Sequence, residues 1–227
     1  MFDLVIFDCD GVLIDSEIIS ARMLIAELSR LGVDIDLDYV ARNFLGRSYP
    51  TVMAQIRREF DLDLPADFED LYRERLLDGF RRDLKVMPGV TEVLSGLATP
   101  WCVATSSSPR RAEMSLSLTG LRDAVGPRLF TASQVAQGKP APDLFLFAAA
   151  EMQADPARTL VIEDSLTGVR AALAAGMQVW RFTGGSHFSG RTTTDTPDED
   201  PFDARPHRRF DRFADFFNSG SDLARHP

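Results

Sequence analysis

The sequence predicts a doubly wound α/β protein with an all-helical insert near its start. Short apolar runs occur at residues 2–7, 101–104, 159–162 and 177–182, without polar alternation. Such runs suit parallel strands buried on both faces of a sheet. Helical patterns fill the chain between these runs from residue 90 onward, and alternating strand and helix marks a doubly wound fold. Residues 16–84 break that rhythm and contain no convincing strand.

Each element has a local reason. The run at 2–7, Phe-Asp-Leu-Val-Ile-Phe, opens the sheet. In the insert, Ile18, Ile19, Leu24, Ile25, Leu28 and Leu31 recur at helical spacing, and residues 38–45, 52–60 and 68–84 look helical too, which makes four helices. Pro88-Gly89 precedes a helix over 90–97. Ser108 then Pro109, a cap residue followed by proline in the first turn, opens one over 110–118. Leu144, Phe147, Ala148 and Met152 mark one over 143–152; Ser165 caps one over 166–175, which Gly176 ends. Residues 189–209 are polar and proline-rich and read as a mobile loop, followed by a short amphipathic segment around 210–217. The expected organisation is a core of residues 1–15 and 85–227, interrupted by an insert of residues 16–84.

Composition narrows the function classes. Hydrophobic residues at 44% and charged residues at 26% are ordinary globular values and exclude collagen-like, disordered and disulfide-scaffold chains. No apolar run approaches the ~18 residues of a membrane span, and the acidic start Met1-Phe2-Asp3 does not read as a signal peptide. Cys9 and Cys102 sit in apolar runs without a CxxC partner and read as buried reduced thiols of a cytoplasmic protein. Acids outnumber bases 34 to 25, for a net charge of −9, which argues against nucleic acid or an anionic membrane as a partner. A monomer or weak dimer is expected. Of the 25 bases only Lys85 and Lys139 are lysine, so each lysine needs a reason.

Four stretches carry chemistry. The first is Asp8-Cys9-Asp10-Gly11, at the carboxyl end of the first strand, where ligands bind in open α/β sheets. In a regular strand, side chains at i and i+2 point the same way. Asp8 and Asp10 are therefore expected side by side, where two like charges need a shared cation or proton. The second is Thr105-Ser106-Ser107-Ser108, where a hydroxyl and successive backbone N–H groups can hold a phosphate. The third is Gly138-Lys139-Pro140-Ala141-Pro142-Asp143, whose prolines stiffen the backbone and aim the lysine inward. A compact ammonium suits one phosphoryl oxygen and a carboxylate, whereas arginine is a wide fork. The fourth is Glu163-Asp164-Ser165, whose acidic oxygens, facing Asp8 and Asp10, suit a hard cation such as Mg²⁺. Each stretch alone has a plain structural reading: an Asp-Gly turn, a serine-rich turn, a solvated lysine, a helix cap. Four in series are harder to explain that way.

The segment Phe7-Asp-Cys-Asp-Gly-Val-Leu-Ile-Asp-Ser-Glu17, with the three later stretches in order, resembles the haloacid-dehalogenase-like phosphohydrolases. The nearest branch holds β-phosphoglucomutase, phosphoglycolate phosphatase and 6-phosphogluconate phosphatase, and the resemblance covers about residues 4–185. It implies a Rossmann-like core with a helical cap inserted after the first motif. It implies Mg²⁺-dependent hydrolysis of a small phosphomonoester, such as a sugar, polyol or sugar-acid phosphate. Asp8 would be the nucleophile that becomes an aspartyl phosphate, and Asp10 the acid and base. Thr105, the Ser106 N–H and Lys139 would bind phosphate, with Lys139 also pairing with Asp8. Asp164, an Asp8 oxygen and the Asp10 backbone carbonyl would ligate the metal, with Glu163 holding a metal-bound water.

A phosphomutase is the alternative. The mutases of this branch carry a histidine where this chain has Ser20, and a cap loop Lys-Gly-x-Ser-Arg where it has Leu45-Gly46-Arg47-Ser48-Tyr49. Both departures argue against mutase activity. A non-enzymatic binding protein is disfavoured by the intact acids at Asp8, Asp10 and Asp164. Arg47, in the cap loop, is the candidate substrate contact. His187, His207 and His226 lie outside any strand-end motif; His187 follows the last core strand and is placed to approach the site, but reads better as a surface loop residue.

Overall fold

Every residue of the first strand, β1 (Leu4–Phe7), is buried, and the sheet is built outward from it. A computed structural model describes residues 2–44, 47–65, 67–189, 204–219 and 223–224. β1 pairs in parallel with β2 (Trp101–Thr105) on one side and with β4 (Thr159–Glu163) on the other. β3 (Leu129–Thr131) extends the sheet past β2, and β5 (Gln178–Phe182) and β6 (Arg208–Phe210) extend it past β4. The order among the described residues is β3-β2-β1-β4-β5-β6, all parallel.

The chain from β1 to β2 forms α1 (Glu17–Ser29), α2 (Leu37–Asn43), α3 (Tyr49–Glu59), α4 (Phe68–Asp83) and α5 (Val90–Gly96). α6 (Pro109–Leu118) and α7 (Arg122–Val125) join β2 to β3. α8 (Asp143–Glu151) joins β3 to β4, and α9 (Leu166–Ala174) joins β4 to β5. Alternate residues of β1 serve opposite faces. Val5 and Phe7 pack with Val90, Val93 and Leu94 of α5, whereas Leu4 and Ile6 pack with Leu144 and Phe145 of α8 and Val169 of α9. Both faces are covered, so the strand needs no polar alternation. Burying each such side chain contributes about 1.5–3 kcal/mol.

Helices α1–α4 close around an apolar cluster of their own, with Leu28, Ile56, Tyr72 and Phe80 inside it. The two chain segments that connect them to the sheet lie side by side. Asp15 N donates to Lys85 O at 2.9 Å and Met87 N to Leu13 O at 2.9 Å, and Ile14 bridges Val86.

Three elements are not legible in the sequence. β3 is three residues long at the sheet edge, and α7 is a single turn. β6 carries Arg208 and Arg209, residues that weaken a strand pattern but suit an exposed edge. Residues 208–210 therefore belong to the sheet and not to a loop; residues 190–203 of that segment lie outside the described residues. The stretch that reads as amphipathic at 210–217 is an aromatic plug. Phe213 stacks on Phe182 with ring centroids 4.5 Å apart, and Phe216 meets Trp180 at 5.5 Å and Phe7 at 6.2 Å.

Phe216 is fully buried between β1 and β5. Truncating Phe216→Ala is expected to destabilise the protein by about 3–5 kcal/mol, measured as a lower denaturation midpoint with an unchanged slope.

Candidate active site

Strand β1 ends at Phe7, which places Asp8 against the end of β4, where Asp8 N donates to Ile162 O at 2.9 Å. Lys139 enters from the loop before α8 with its side chain 1% exposed. Its Nζ donates to Asp8 Oδ1 at 2.6 Å, Glu163 Oε1 at 2.8 Å and the Ala104 carbonyl at 3.1 Å. Burial alone would favour loss of the lysine proton, but Asp8 and Glu163 outweigh it and hold the ammonium charged. For Asp8, burial pushes the carboxyl well above its ordinary range, and Lys139 opposes that push.

Glu163 has both oxygens engaged. Oε1 accepts from Lys139, and Oε2 accepts from Ser165 N at 2.8 Å and Ser165 Oγ at 3.0 Å. The glycine at 168 makes room for it, because a Cβ there would lie 1.7 Å from Glu163 Oε1. Asp164, the next residue, faces Gly11 and His187. Gly11 has φ +76°, and a Cβ on it would sit 2.2 Å from Asp164 Oδ2. Conformation and space both require glycine there. Burial first, then the Glu163 charge, pushes the Asp164 carboxyl well up.

Oxygens of Asp8, Glu163 and Asp164 lie within 4.8 Å of one another, all buried. Three carboxylates thus face one ammonium, and two of them resist ionisation. A hard divalent cation bound by oxygen is the ligand this donor set fits.

Asp10 is held elsewhere. Its carboxylate accepts from Ser16 Oγ and Ser107 Oγ, each at 2.6 Å, from Arg111 Nη2 at 2.8 Å, and from Thr105 Oγ1 at 3.4 Å. Burial would raise its pKa, but Arg111 and the bonds from Ser107 and Ser16 overcome that and hold it below the ordinary value. Asp8 and Asp10, expected side by side from strand alternation, line one cavity but bond different groups. The strand has already ended, and the chain curls through Leu13 N to Cys9 O at 2.9 Å and Gly11 N to Ile14 O at 2.8 Å. Each acid turns to its own cation.

Above these groups lies a cavity of about 330 Å³ between the sheet end and helices α3 and α4. Thr105, Ser106 and Lys139 line it from below; Arg47, Tyr49 and Tyr72 line it from above. Arg47 is exposed, and its Nη1 donates to Gln55 Oε1 at 2.7 Å. Leu45 and Gly46 of the same loop lie outside the described residues. Glu17 also reaches the cavity, where burial and then the Asp10 and Asp164 charges push it up to about 7.

Four participants escape a reading of the sequence. Ser16, Ser107 and Arg111 hold Asp10, and nothing in their spacing distinguishes them from helix-cap and surface residues. His187 reads as a surface residue in the sequence, and the structure corrects this. Its side chain is 7% exposed and its Nε2 lies 3.1 Å from Asp164 Oδ2. The Gly184-Gly185 pair before it is the available signal, since a Cβ on Gly185 would lie 2.5 Å from the imidazole. Cys9 and Cys102 are buried and free, as expected. No helix among the described residues is long and apolar enough to cross a membrane.

Comparison with known proteins sets these groups in a family. The chain is 27% identical over 184 residues to 6-phosphogluconate phosphatase of Escherichia coli (strain K12), covering 81% of this chain and 83% of that one. It is 33% identical over 180 residues to a fructose-1-phosphate phosphatase of the same organism, covering 76% and 92%. A crystal structure of a conserved haloacid dehalogenase-like protein from Agrobacterium tumefaciens str. C58 superposes with a TM-score of 0.81 at 36% identity, covering 98% of this chain and 99% of that one. The family model for haloacid dehalogenase-like hydrolases matches residues 2–176, a stretch that holds the lysine, its two carboxylate partners and the acid at Asp10, and the chain belongs to that family.

Proposed function

We propose that this protein is a magnesium-dependent phosphatase of small phosphomonoesters, acting on sugar, polyol or sugar-acid phosphates. The observation that carries this reading is the buried Asp8–Lys139 pair beside Asp164, at the floor of a cavity sized for a small molecule. The names of the two Escherichia coli relatives support the substrate class. In this reading residues 1–15 and 85–227 form the catalytic core and residues 16–84 the cap. The buried free thiols support a reducing, cytoplasmic setting.

An Asp8 oxygen attacks phosphorus, forming an aspartyl phosphate as the bond from phosphorus to the leaving oxygen breaks. Asp10, protonated for this step, gives its proton to the leaving oxygen, releasing the alcohol. Asp10 then takes a proton from the attacking water as the bond from Asp8 to phosphorus breaks, releasing inorganic phosphate. Asp10 is held here by four donors as a carboxylate, the form the second step uses. For the first step the proton sits on Oδ2, which gives up its bonds from Ser107 and Thr105 while Ser16 and Arg111 keep Oδ1 in place. Lys139 holds Asp8 in line and offers charge to the phosphoryl oxygens, joined by Thr105 and the Ser106 N–H. Asp8, Asp164 and the Asp10 carbonyl would hold a magnesium ion, with Glu163 beside them, and the ion would supply the charge that lets an anionic nucleophile approach an anionic phosphoryl group.

The mutase alternative has less support. Ser20, where the mutases carry a histidine, accepts a hydrogen bond from Arg111 at 3.1 Å and so belongs to the Asp10 network.

Replacing Asp8→Asn removes the nucleophile and is expected to lower turnover by about 10⁴-fold or more. This is measured as phosphate release from 6-phosphogluconate, fructose 1-phosphate and glycerol 3-phosphate. Retained turnover in a deamidation-free sample would reject the mechanism.

Metal binding is tested by stability. At a hundredfold excess over its Kd, magnesium is expected to add about 2.7 kcal/mol, read as a higher Tm. Asp164→Asn is expected to abolish that gain. In metal-free protein the same change is expected to stabilise the fold, because Asp164 has a raised folded pKa. The folded state then holds the proton more tightly, so ionisation costs nothing below the unfolded value of 3.8 and costs most above the raised one. The Tm advantage of Asp164→Asn should therefore grow from pH 5 to pH 8.

A further inference from the structure

Arg111 lies outside the strand-end stretches that carry the chemistry, yet its guanidinium joins elements far apart in sequence. It rises from the first turns of α6. Its Nη2 donates to Asp10 Oδ1 at 2.8 Å and to Ser20 Oγ on α1 at 3.1 Å. Its plane also lies over the ring of Phe80 on α4, 5.2 Å from the centroid. Ser20 and Phe80 belong to the helical insert, whereas Asp10 and α6 belong to the sheet side. The side chain is 24% exposed and that of Asp10 only 11%, so this is a part-buried pair at the wall of the cavity.

We propose that Arg111 is a positioning residue that ties the seating of the cap to the orientation of the Asp10 carboxyl. This rests on the reading of Asp10 as the acid and base of a phosphomonoester hydrolase. Guanidinium geometry suits that role, since its face packs on an aromatic ring while its edge donates in plane, which an ammonium cannot do at once. Ser20 is small enough to leave the guanidinium this path. When α1 and α4 sit on the core, Ser20 and Phe80 hold the fork, and the fork with Ser16 and Ser107 holds Asp10. When they move away, the fork loses both of its cap contacts together. Arg111 lines the cavity, but its bond there goes to Asp10, so its proposed contribution runs through proton transfer and is separable by experiment from phosphoryl binding.

The leaving group separates those two. An alkoxide needs a proton as it departs, and a nitrophenolate hardly does, so only the alkyl ester depends strongly on a placed acid. The experiment measures kcat/KM for glycerol 3-phosphate and 4-nitrophenyl phosphate with the wild type, Arg111→Met, Arg111→Lys, Phe80→Leu and Asp10→Asn. For Asp10→Asn the alkyl ester is expected to lose about 100-fold or more, and the aryl ester at least tenfold less. Arg111→Met is expected to lower the alkyl-to-aryl ratio about tenfold. Arg111→Lys should recover little of it, and Phe80→Leu, which acts from the cap side, should shift the ratio the same way. In an Asp10→Asn background, Arg111→Met should move the ratio no further. Equal losses on both esters, or a shift that persists without Asp10, would overturn the proposal while leaving the phosphatase reading in place. An unmoved ratio in Phe80→Leu would overturn the coupling to the cap. An unmoved ratio in Asp10→Asn would remove Asp10 as the acid, and the proposal with it. Should Arg111→Met not fold, Arg111→Lys and Phe80→Leu decide the question by the same ratio.

Discussion

One buried ammonium holds the working end of this protein together. Lys139 bonds Asp8 beyond β1, the Ala104 carbonyl in β2 and Glu163 at the end of β4, so three strands converge on one charge. Removing one partner of a buried ion pair typically costs about 3–5 kcal/mol, because the other charge is left uncompensated. The lysine balances one of the three neighbouring carboxyl groups, and burial pushes those of Asp8 and Asp164 up. A bound cation would offset the cost of ionising them.

A site this costly needs a stiff support, and the sheet provides it. β1 is flanked by β2 on one side and β4 on the other, so the connections leave it in opposite directions and open a crevice at the carboxyl ends. Both faces of the sheet are sealed, one by α5 with the Phe213 and Phe216 plug, the other by α8 and α9. The apolar burial in those layers offsets the unfavourable collection of charge at the edge.

The two acids of the first motif differ because they face different cations. Asp8 shares Lys139 with Glu163, while Asp10 has Arg111 and three hydroxyl groups of its own. Gly11, with φ +76°, allows the turn that follows them and also clears space for Asp164. One residue type at two positions two apart thereby acquires two electrostatic settings, as the proposed roles of nucleophile and proton carrier require.

The sequence by itself determined the strands β1, β2, β4 and β5, the helical insert, the strand-end positions of Asp8, Thr105 and Glu163, and the singling out of Lys139 before a helix. These follow from apolar runs, capping residues and a lysine rare enough to stand out, all of which are local signals. Short edges were illegible: β3 has three residues, and β6 is held by its pairing with β5 and by Arg208 over the Trp180 ring at 4.6 Å. Tertiary structure alone decided which cation Asp10 faces. Arg111 lies 101 residues from Asp10 in the chain, and Ser107 lies 97 away. It also decided that His187 is buried against Asp164. Such partners are chosen by the packing of α6 and of the segment after β5 against the end of the sheet. Hydrogen-bond geometry between distant segments leaves no periodic trace in a sequence, whereas the burial of a strand or a helix face does.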